Sequence, residues 1–130
     1  MKILMTSIFV DDPIRAHEYY TKILGFKSKE FSEEAQLAVV VSPEDPEGTA
    51  LLLEPHGDSF AKTYKENVFK AGLPVIVFGT YNLQPDRKKL EEKGVKFRDD
   101  LAKPDWGIQN LFEDTFGNLI MLQKISHTNE

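Results

Sequence analysis

The sequence predicts an α+β fold made of two tandem βαβββ modules. Along its 130 residues, a pattern of strand, helix and three further strands occurs twice. The letters repeat as well: EDPEGTALLLE, residues 44–54, shares the spacing Glu-Asp-x-x-Gly with EDTFGNLIMLQ, residues 113–123, and Gly48 and Gly117 lie 69 positions apart. Internal self-similarity of this kind indicates two copies of one structural unit. We assign module one to residues 1–56, a linking helix to residues 58–71 and module two to residues 73–125.

The first module opens with Lys2–Val10, an alternating segment rich in β-branched and aromatic residues, which predicts a strand. Asp12 offers an N-cap oxygen and Pro13 suits the first helical position, so a helix is expected to begin there. Gly25 is expected to end this helix. The helix carries an apolar stripe at Ala16, Tyr19, Tyr20 and Ile23. Three strands are expected after it, at Phe26–Phe31, Gln36–Val41 and Thr49–Glu54.

The second module repeats this order with a strand at Pro74–Thr80 and a helix at Leu83–Lys93, with Pro85 in its first turn and a stop at Gly94. Its three later strands are expected at Val95–Asp99, Ile108–Phe112 and Asn118–Lys124. The connector Asp58–Lys70, with apolar Ala61, Tyr64 and Val68, predicts a short helix. Because each helix covers only one sheet face, the opposite faces must cover each other, a second chain or a ligand.

The composition narrows the class of protein. Hydrophobic residues make up 41% and charged residues 28%, as in folded domains. A net charge of −5 and a pI near 5.2 disfavour nucleic acid and tolerate cationic small molecules. The absence of cysteine excludes disulfides, thiolate metal sites and cysteine nucleophiles. No apolar run is long enough for a membrane span and the N-terminus does not resemble a signal peptide, so we expect a cytoplasmic protein without a membrane or nucleic-acid partner.

Three segments resemble one known family. FVDDPIRAHEYYTKILGF (residues 9–26), KKLEEKGVKF (residues 88–97) and WGIQNLFEDTFGNLIML (residues 106–122) are similar to members of the vicinal oxygen chelate superfamily. That superfamily includes glyoxalase I, extradiol dioxygenases, fosfomycin-resistance enzymes and bleomycin-resistance proteins. The resemblance covers essentially the whole chain and implies an eight-stranded, half-open concave sheet. We also expect a homodimer, because open edges and concave faces need cover.

The resemblance also implies where a metal ion would bind. In metal-dependent members, ligands on the first and last strands of each module face the concave sheet and are usually His, Gln or Glu. By position these are Met5, Val75, Met121 and either Leu52 or Glu54, a choice that the sequence leaves open. Divalent ions prefer imidazole nitrogen and carboxylate oxygen, so thioethers and alkyl groups predict no metal cofactor. The alternative is a site for a divalent metal ion.

The expected function is metal-independent binding of a small molecule, as in the bleomycin-resistance-like branch. The protein would sequester or sense an apolar or cationic ligand. One alternative is a glyoxalase- or dioxygenase-like metal-dependent lyase or oxygenase, and another is a dimeric interaction module whose cleft is filled by its own side chains. The residues expected to line the cleft are Met5, Ser7, Leu52, Glu54, Val75, Trp106, Met121 and Gln123.

Several polar and aromatic residues have two interpretations. Glu54 is the one catalytic candidate, as a general base, and it could also be a counter-ion to a ligand or a solvated strand end. Trp106 is either a lid or stacking platform for a ligand, or a residue packed where a strand begins. None of the three histidines falls at a family ligand position: we expect His17 to be exposed on the helix, His56 to lie near the pocket rim and His127 to lie in the tail.

Overall fold

The computed structural model describes residues 1–126 of the chain. These residues form two compact units, Met1–Glu66 and the part of the chain from Asn67 onward. A helix, α2, covers Phe60–Lys70 and therefore includes the boundary between the units. No helix in the described part of the chain is both long and apolar enough to cross a lipid bilayer.

The first unit contains strand β1 (Met5–Val10), helix α1 (Pro13–Glu18) and strands β2 (Lys27–Ser32), β3 (Leu37–Val41) and β4 (Ala50–Pro55). The strand order is β1-β4-β3-β2. Strand β1 runs parallel to β4, whereas β3 is antiparallel to both β4 and β2. This is the predicted βαβββ order, because the helix between β1 and β2 lets the chain cross to the far edge of the sheet.

Helix α1 begins where the sequence predicts. The Asp12 side chain caps it, since Oδ1 accepts hydrogen bonds from the backbone nitrogens of Ile14 (3.1 Å) and Arg15 (3.2 Å). The helix continues as a π-helical turn over Tyr19–Ile23. Of the predicted apolar stripe, Ala16 and Tyr20 are fully buried. The helix contacts β3 and β4, so it covers the sheet face that carries the buried Ile8, Val10, Val40 and Leu53.

The second unit contains strand β5 (Ile76–Thr80), helix α3 (Leu83–Glu92) and strands β6 (Leu111–Glu113) and β7 (Leu119–Lys124). The strand order is β5-β7-β6, with β5 parallel and β6 antiparallel to β7. Two short 3-10 turns, Asp99–Leu101 and Pro104–Trp106, precede β6. The α+β class is confirmed, with sheets of four and three strands and three helices in residues 1–126.

The predicted count of eight strands is wrong for the described residues, which contain seven. The expected strand Val95–Asp99 is reduced to an isolated bridge between Phe97 and Phe112. Arg98 still donates its backbone N–H to Leu111 at 2.6 Å, and its guanidinium binds Asp100 and Glu113. The chain then turns into the 3-10 helix that begins at Asp99. Strand β6 also begins later than predicted, because Asn110 adopts the left-handed conformation with φ of 55°.

Candidate functional site

The face of the first sheet opposite α1 carries four of the eight residues predicted for ligand binding. Parallel pairing of β1 and β4 places Ser7 beside Leu52 and Phe9 beside Glu54. Met5 lies two residues before Ser7 and therefore on the same face. Met5 is 49% exposed, Ser7 is exposed, and the other three side chains are half-buried. We call this surface, formed by β1, β3 and β4, the first open face.

Strand β3 extends this face with apolar residues that the sequence analysis did not single out. Val39 pairs with Leu52, so Leu37, Val39 and Val41 share the face of Leu52. Val39, Val41 and Ala50 form a buried cluster, with Leu37 and Leu52 packed against it. The sequence LAVVV is apolar at every position, so its period does not reveal which residues face which side. On the first open face, the side chains of β3 are therefore apolar and mostly buried, whereas Met5 and Ser7 on β1 are exposed.

An aromatic pair stands at the carboxyl end of β1. The Tyr64 ring of α2 meets the Phe9 ring edge to face, with centroids 6.5 Å apart and an interplanar angle of 84°. Tyr64 remains 56% exposed. The Phe9 ring lies on the same side of the sheet as the side chain of Glu54, its neighbour on β4. Sequence reasoning placed Tyr64 on a helix but had no signal for this contact, since the two residues come from separate elements.

The second unit has a comparable open face on β5, β6 and β7. Val77 lies beside Met121, and Leu111 flanks Met121 on its other side. Val75, two residues before Val77, donates its backbone N–H to Leu119 at 3.0 Å. Val77 is 49% exposed, Val75 and Met121 are half-buried, and Gln123 at the end of β7 is exposed. Val77 was missed by sequence reasoning, although its alternation with Val75 marks both for the same face.

The two open faces are built on the same pattern of strand pairing. Leu52 on β4 and Met121 on β7 occupy equivalent positions, beside Ser7 and Val77 respectively. Glu54 and Gln123 are equivalent in the same way, beside Phe9 and Gly79. Met5 and Val75 also correspond, since their strand neighbours are Ala50 and Leu119.

The faces differ at the Phe9 position. Gly79 takes the place of the aromatic ring in the second unit, and a Cβ added there would lie 2.8 Å from Ile125 Cγ1. The Ile125 side chain therefore occupies the volume above Gly79. The first open face therefore has an aromatic ring and a carboxylate, Phe9 and Glu54, at this end. The equivalent end of the second unit has the aliphatic Ile125 and the neutral Gln123.

Charged and aromatic groups of the second unit surround the segment before β6. Arg98 donates to Asp100 at 2.9 Å and to Glu113 at 2.7 Å. This pairing raises the pKa of Arg98 and lowers the pKa of Asp100. Trp106 lies in the second 3-10 turn, is 72% exposed, and has the Lys103 ammonium 5.0 Å from its ring centroid. It therefore sits on a loop, not on strand β7, which carries Met121 and Gln123.

The histidines lie away from the predicted ligand positions. His17 shares a hydrogen bond of 2.8 Å with Ser28 Oγ, and its ring stacks on Phe31 with centroids 4.2 Å apart. The expectation that His17 is exposed is wrong: it is half-buried against β2, and burial lowers its pKa. His56 Nδ1 lies 2.6 Å from the carbonyl oxygen of Gly57. His127 lies outside the described residues.

The side chains at the family ligand positions do not suit a divalent metal ion. Met5 and Met121 offer thioethers, Leu52 and Val75 offer alkyl groups, and Glu54 is the one carboxylate of the set. Within residues 1–126, no three histidine, aspartate or glutamate side chains lie close enough together to hold an ion. The donor set therefore lacks the nitrogen and oxygen ligands that zinc, nickel or iron(II) require.

Comparison with known proteins identifies the family. The chain matches the model of the Glyoxalase/Bleomycin resistance protein/Dioxygenase superfamily over residues 2–122, and it belongs to that superfamily. It is 43% identical over 124 residues to the uncharacterized protein YurT of Bacillus subtilis (strain 168), covering 94% of this chain and 98% of YurT. The family expected from the sequence is thereby confirmed.

Solved structures show the same fold at lower identity. The crystal structure of UcmS2 has a TM-score of 0.74 at 22% identity and covers 94% of this chain and 96% of its own. The crystal structure of TnmS3, an antibiotic binding protein from Streptomyces sp. CB03234, has a TM-score of 0.66 at 22% identity, with 97% of each chain covered. At this identity the likeness concerns the fold alone.

Proposed function

We propose that this protein binds an apolar small molecule on its open sheet faces without the help of a metal ion. The observation that carries the proposal is the pair Leu52 and Met121, which occupy equivalent strand positions and present apolar side chains. Ligand sites are mostly apolar with a few placed polar groups, and Ser7, Glu54 and Gln123 would be those groups here. The flexible thioethers of Met5 and Met121 suit adaptable contact with a hydrophobic ligand.

We favour a function in which the protein sequesters or senses a hydrophobic antibiotic. TnmS3 is an antibiotic binding protein with the same fold. Binding alone is sufficient for sequestration, so the function requires no catalytic group. A glyoxalase- or dioxygenase-like reaction would depend on an ion that polarises substrate oxygen, and the strand positions that would hold it supply one carboxylate, Glu54.

We place this binder in the cytoplasm and expect it to act as a homodimer. Strand β2 is an edge of the four-stranded sheet, and uncovered edge strands invite pairing with another chain. Sedimentation equilibrium should then give twice the 14.8 kDa mass of the chain. A mass of one chain at micromolar concentration would contradict this expectation.

The three methionines allow a direct test of binding. With 13C-labelled methionine methyl groups, Met5 reports on the first open face, Met121 on the second, and the fully exposed Met1 serves as an internal control. The protein would be titrated with bleomycin, daunorubicin and neopentylbenzene, an uncharged probe. We expect at least one compound to shift Met5 or Met121 saturably while Met1 stays unchanged. If none of the three compounds gives a saturable shift, the binding proposal is wrong and a self-filled interaction module is favoured.

Matched variants locate the site. Leu52→Ser and Met121→Ala remove apolar contact area, and each should weaken binding by roughly tenfold. Isothermal titration calorimetry measures both affinities, because Met121→Ala removes its own reporter methyl. Thr6→Ser is the control, because Thr6 is exposed on the opposite side of β1. Unchanged affinity in both Leu52→Ser and Met121→Ala would show that the ligand binds elsewhere.

A further inference from the structure

The first open face combines a carboxylate with two aromatic rings at one end. Glu54 and Phe9 are direct neighbours on parallel strands, and adjacent strands lie about 4.8 Å apart. Their side chains project from the same side of the sheet. Tyr64 joins them through its edge-to-face contact with Phe9. Three groups that attract positive charge are therefore brought together, although they come from β1, β4 and α2.

Each of these groups favours a cation by ordinary electrostatics. The faces of aromatic rings carry negative partial charge and attract ammonium groups that lie within about 6 Å of the ring centre. In the T-shaped pair, Tyr64 is more than half exposed, so part of its ring surface is accessible. Glu54 is half-buried, which strengthens its attraction for a partner compared with a fully solvated carboxylate.

Glu54 has no ion-pair partner among residues 1–126. The ion pairs of Lys22, Lys62, Arg87 and Arg98 are all formed with other acidic residues. Half-buried charges are most stable when paired. A ligand cation would supply the missing positive charge.

The second unit shows that this arrangement is not a general consequence of the fold. At the equivalent positions it has Gly79 and Gln123, which offer neither a ring nor a charge. Ile125 fills the volume above Gly79. At these equivalent strand positions, therefore, the first unit has a ring and a carboxylate and the second unit has neither.

We infer that Phe9, Glu54 and Tyr64 form a subsite for an organic cation, a quaternary ammonium or protonated amine attached to an apolar group. The ammonium lies between the carboxylate and the rings, and the apolar part extends over Ser7 and Leu52. This inference rests on the proposed binding function and specifies the ligand class that the first open face prefers.

A pair of probes with the same shape and different charge tests the inference. Benzyltrimethylammonium carries a quaternary nitrogen, and neopentylbenzene replaces that nitrogen with carbon. Both would be titrated against the labelled full-length chain, with the Met5 methyl as reporter. We expect the cation to bind at least tenfold more tightly than the neutral probe, and raising the NaCl concentration should weaken only the cation.

Conservative variants assign the effect to the subsite. Glu54→Gln should reduce affinity for the cation about tenfold, and Tyr64→Leu several-fold, with little change for the neutral probe. Unchanged binding of the neutral probe also shows that each variant is folded. Glu44→Gln is the charge-matched control, since Glu44 lies in the exposed turn before β4, and it should leave the preference for the cation intact.

The outcomes separate this inference from the binding proposal. If both probes bind equally well, or if Glu54→Gln leaves the preference unchanged, the cation subsite is wrong and apolar binding stands. If neither these probes nor the antibiotics shift Met5 or Met121, the binding proposal fails and the subsite fails with it.

Discussion

The buried carboxylate of Asp114 accepts two hydrogen bonds from Asn118, one from the backbone nitrogen at 3.1 Å and one from Nδ2 at 3.0 Å. It accepts a third from the backbone nitrogen of Phe116 at 2.8 Å. These bonds hold the turn that delivers the chain into β7 and so fix the position of Met121. The turn is the second copy of the Glu-Asp-x-x-Gly motif, and the equivalent Asp45 of the first copy is exposed.

Replacing Asp114 with alanine should destabilise the protein strongly. The substitution leaves three buried donors without this acceptor, at a cost of about 2–4 kcal/mol in the free energy of unfolding. Urea denaturation followed by circular dichroism measures this change. The control is Asp45→Ala at the equivalent position of the first unit, which is exposed and should cost less than about 1 kcal/mol. Equal losses in the two variants would contradict a special role for the Asp114 network.

His17 should make stability depend on pH near neutrality. Its pKa is lowered from 6.5 by burial, so the unfolded chain binds a proton more readily than the folded protein. Above pH 6.5 the neutral His17 does not reduce the free energy of unfolding. That free energy decreases as the pH falls through 6.5 toward the lower pKa of His17 in the folded protein. We expect the fall in melting temperature between pH 7.5 and pH 5.5 to be smaller in His17→Gln than in wild type. An identical fall in both proteins would rule out His17 as its source.

Arg87 should stabilise the second unit through its planar head group. It donates to Asp99 from both Nη1 (3.1 Å) and Nη2 (2.8 Å), donates to Asn110 at 2.8 Å, and lies 4.2 Å from the Phe97 ring centroid. Lysine keeps the charge but cannot form the paired contact, so Arg87→Lys should cost about 1 kcal/mol in unfolding free energy. Arg15→Lys on the exposed surface of α1 should cost much less. A similar small loss in both variants would show that geometry at Arg87 is unimportant.

The contact between Gly79 and Ile125 should appear as energetic coupling. An alanine Cβ at position 79 would lie 2.8 Å from Ile125 Cγ1, so Gly79→Ala should destabilise the wild-type protein by about 1 kcal/mol. In an Ile125→Ala background the crowding atom is gone and the same substitution should cost less. A double-mutant cycle on unfolding free energies measures the difference. Equal costs in both backgrounds would disprove the close approach.

Protein purified without chelators should contain far less than one Ni, Zn, Fe or Mn ion per chain, because the side chains at the family ligand positions are mainly thioether and alkyl groups. Elemental analysis by mass spectrometry measures this content. A stoichiometric ion that chelation removes, together with a lowered melting temperature, would favour the metal-dependent lyase or oxygenase instead. Glu54→Ala would then show whether that ion depends on the one carboxylate of the set.

Local patterns in the sequence were enough to predict most elements of both modules. The N-cap at Asp12, the proline at position 13 and alternating strands depend on neighbouring residues, so they can be predicted without tertiary structure. At Val95–Asp99 the predicted strand is shortened: Phe97 bridges Phe112 and the Arg98 backbone N–H donates to Leu111, but the chain turns into a 3-10 helix at Asp99, before a longer ladder forms. The candidate residues Met5, Ser7, Leu52 and Glu54 were chosen by position, and the structure places them on one face.

By itself, the sequence determined that this chain consists of two related α+β modules, and its resemblance to a known family placed apolar residues at the expected ligand positions. Only the tertiary structure decided which side chains are neighbours, since Ser7 and Leu52 meet through parallel pairing of strands far apart in the chain. It also brought Tyr64 against Phe9 and placed Ile125 over Gly79. Periodicity reports which face a residue occupies, whereas register and packing between elements depend on long-range contacts that no local pattern contains.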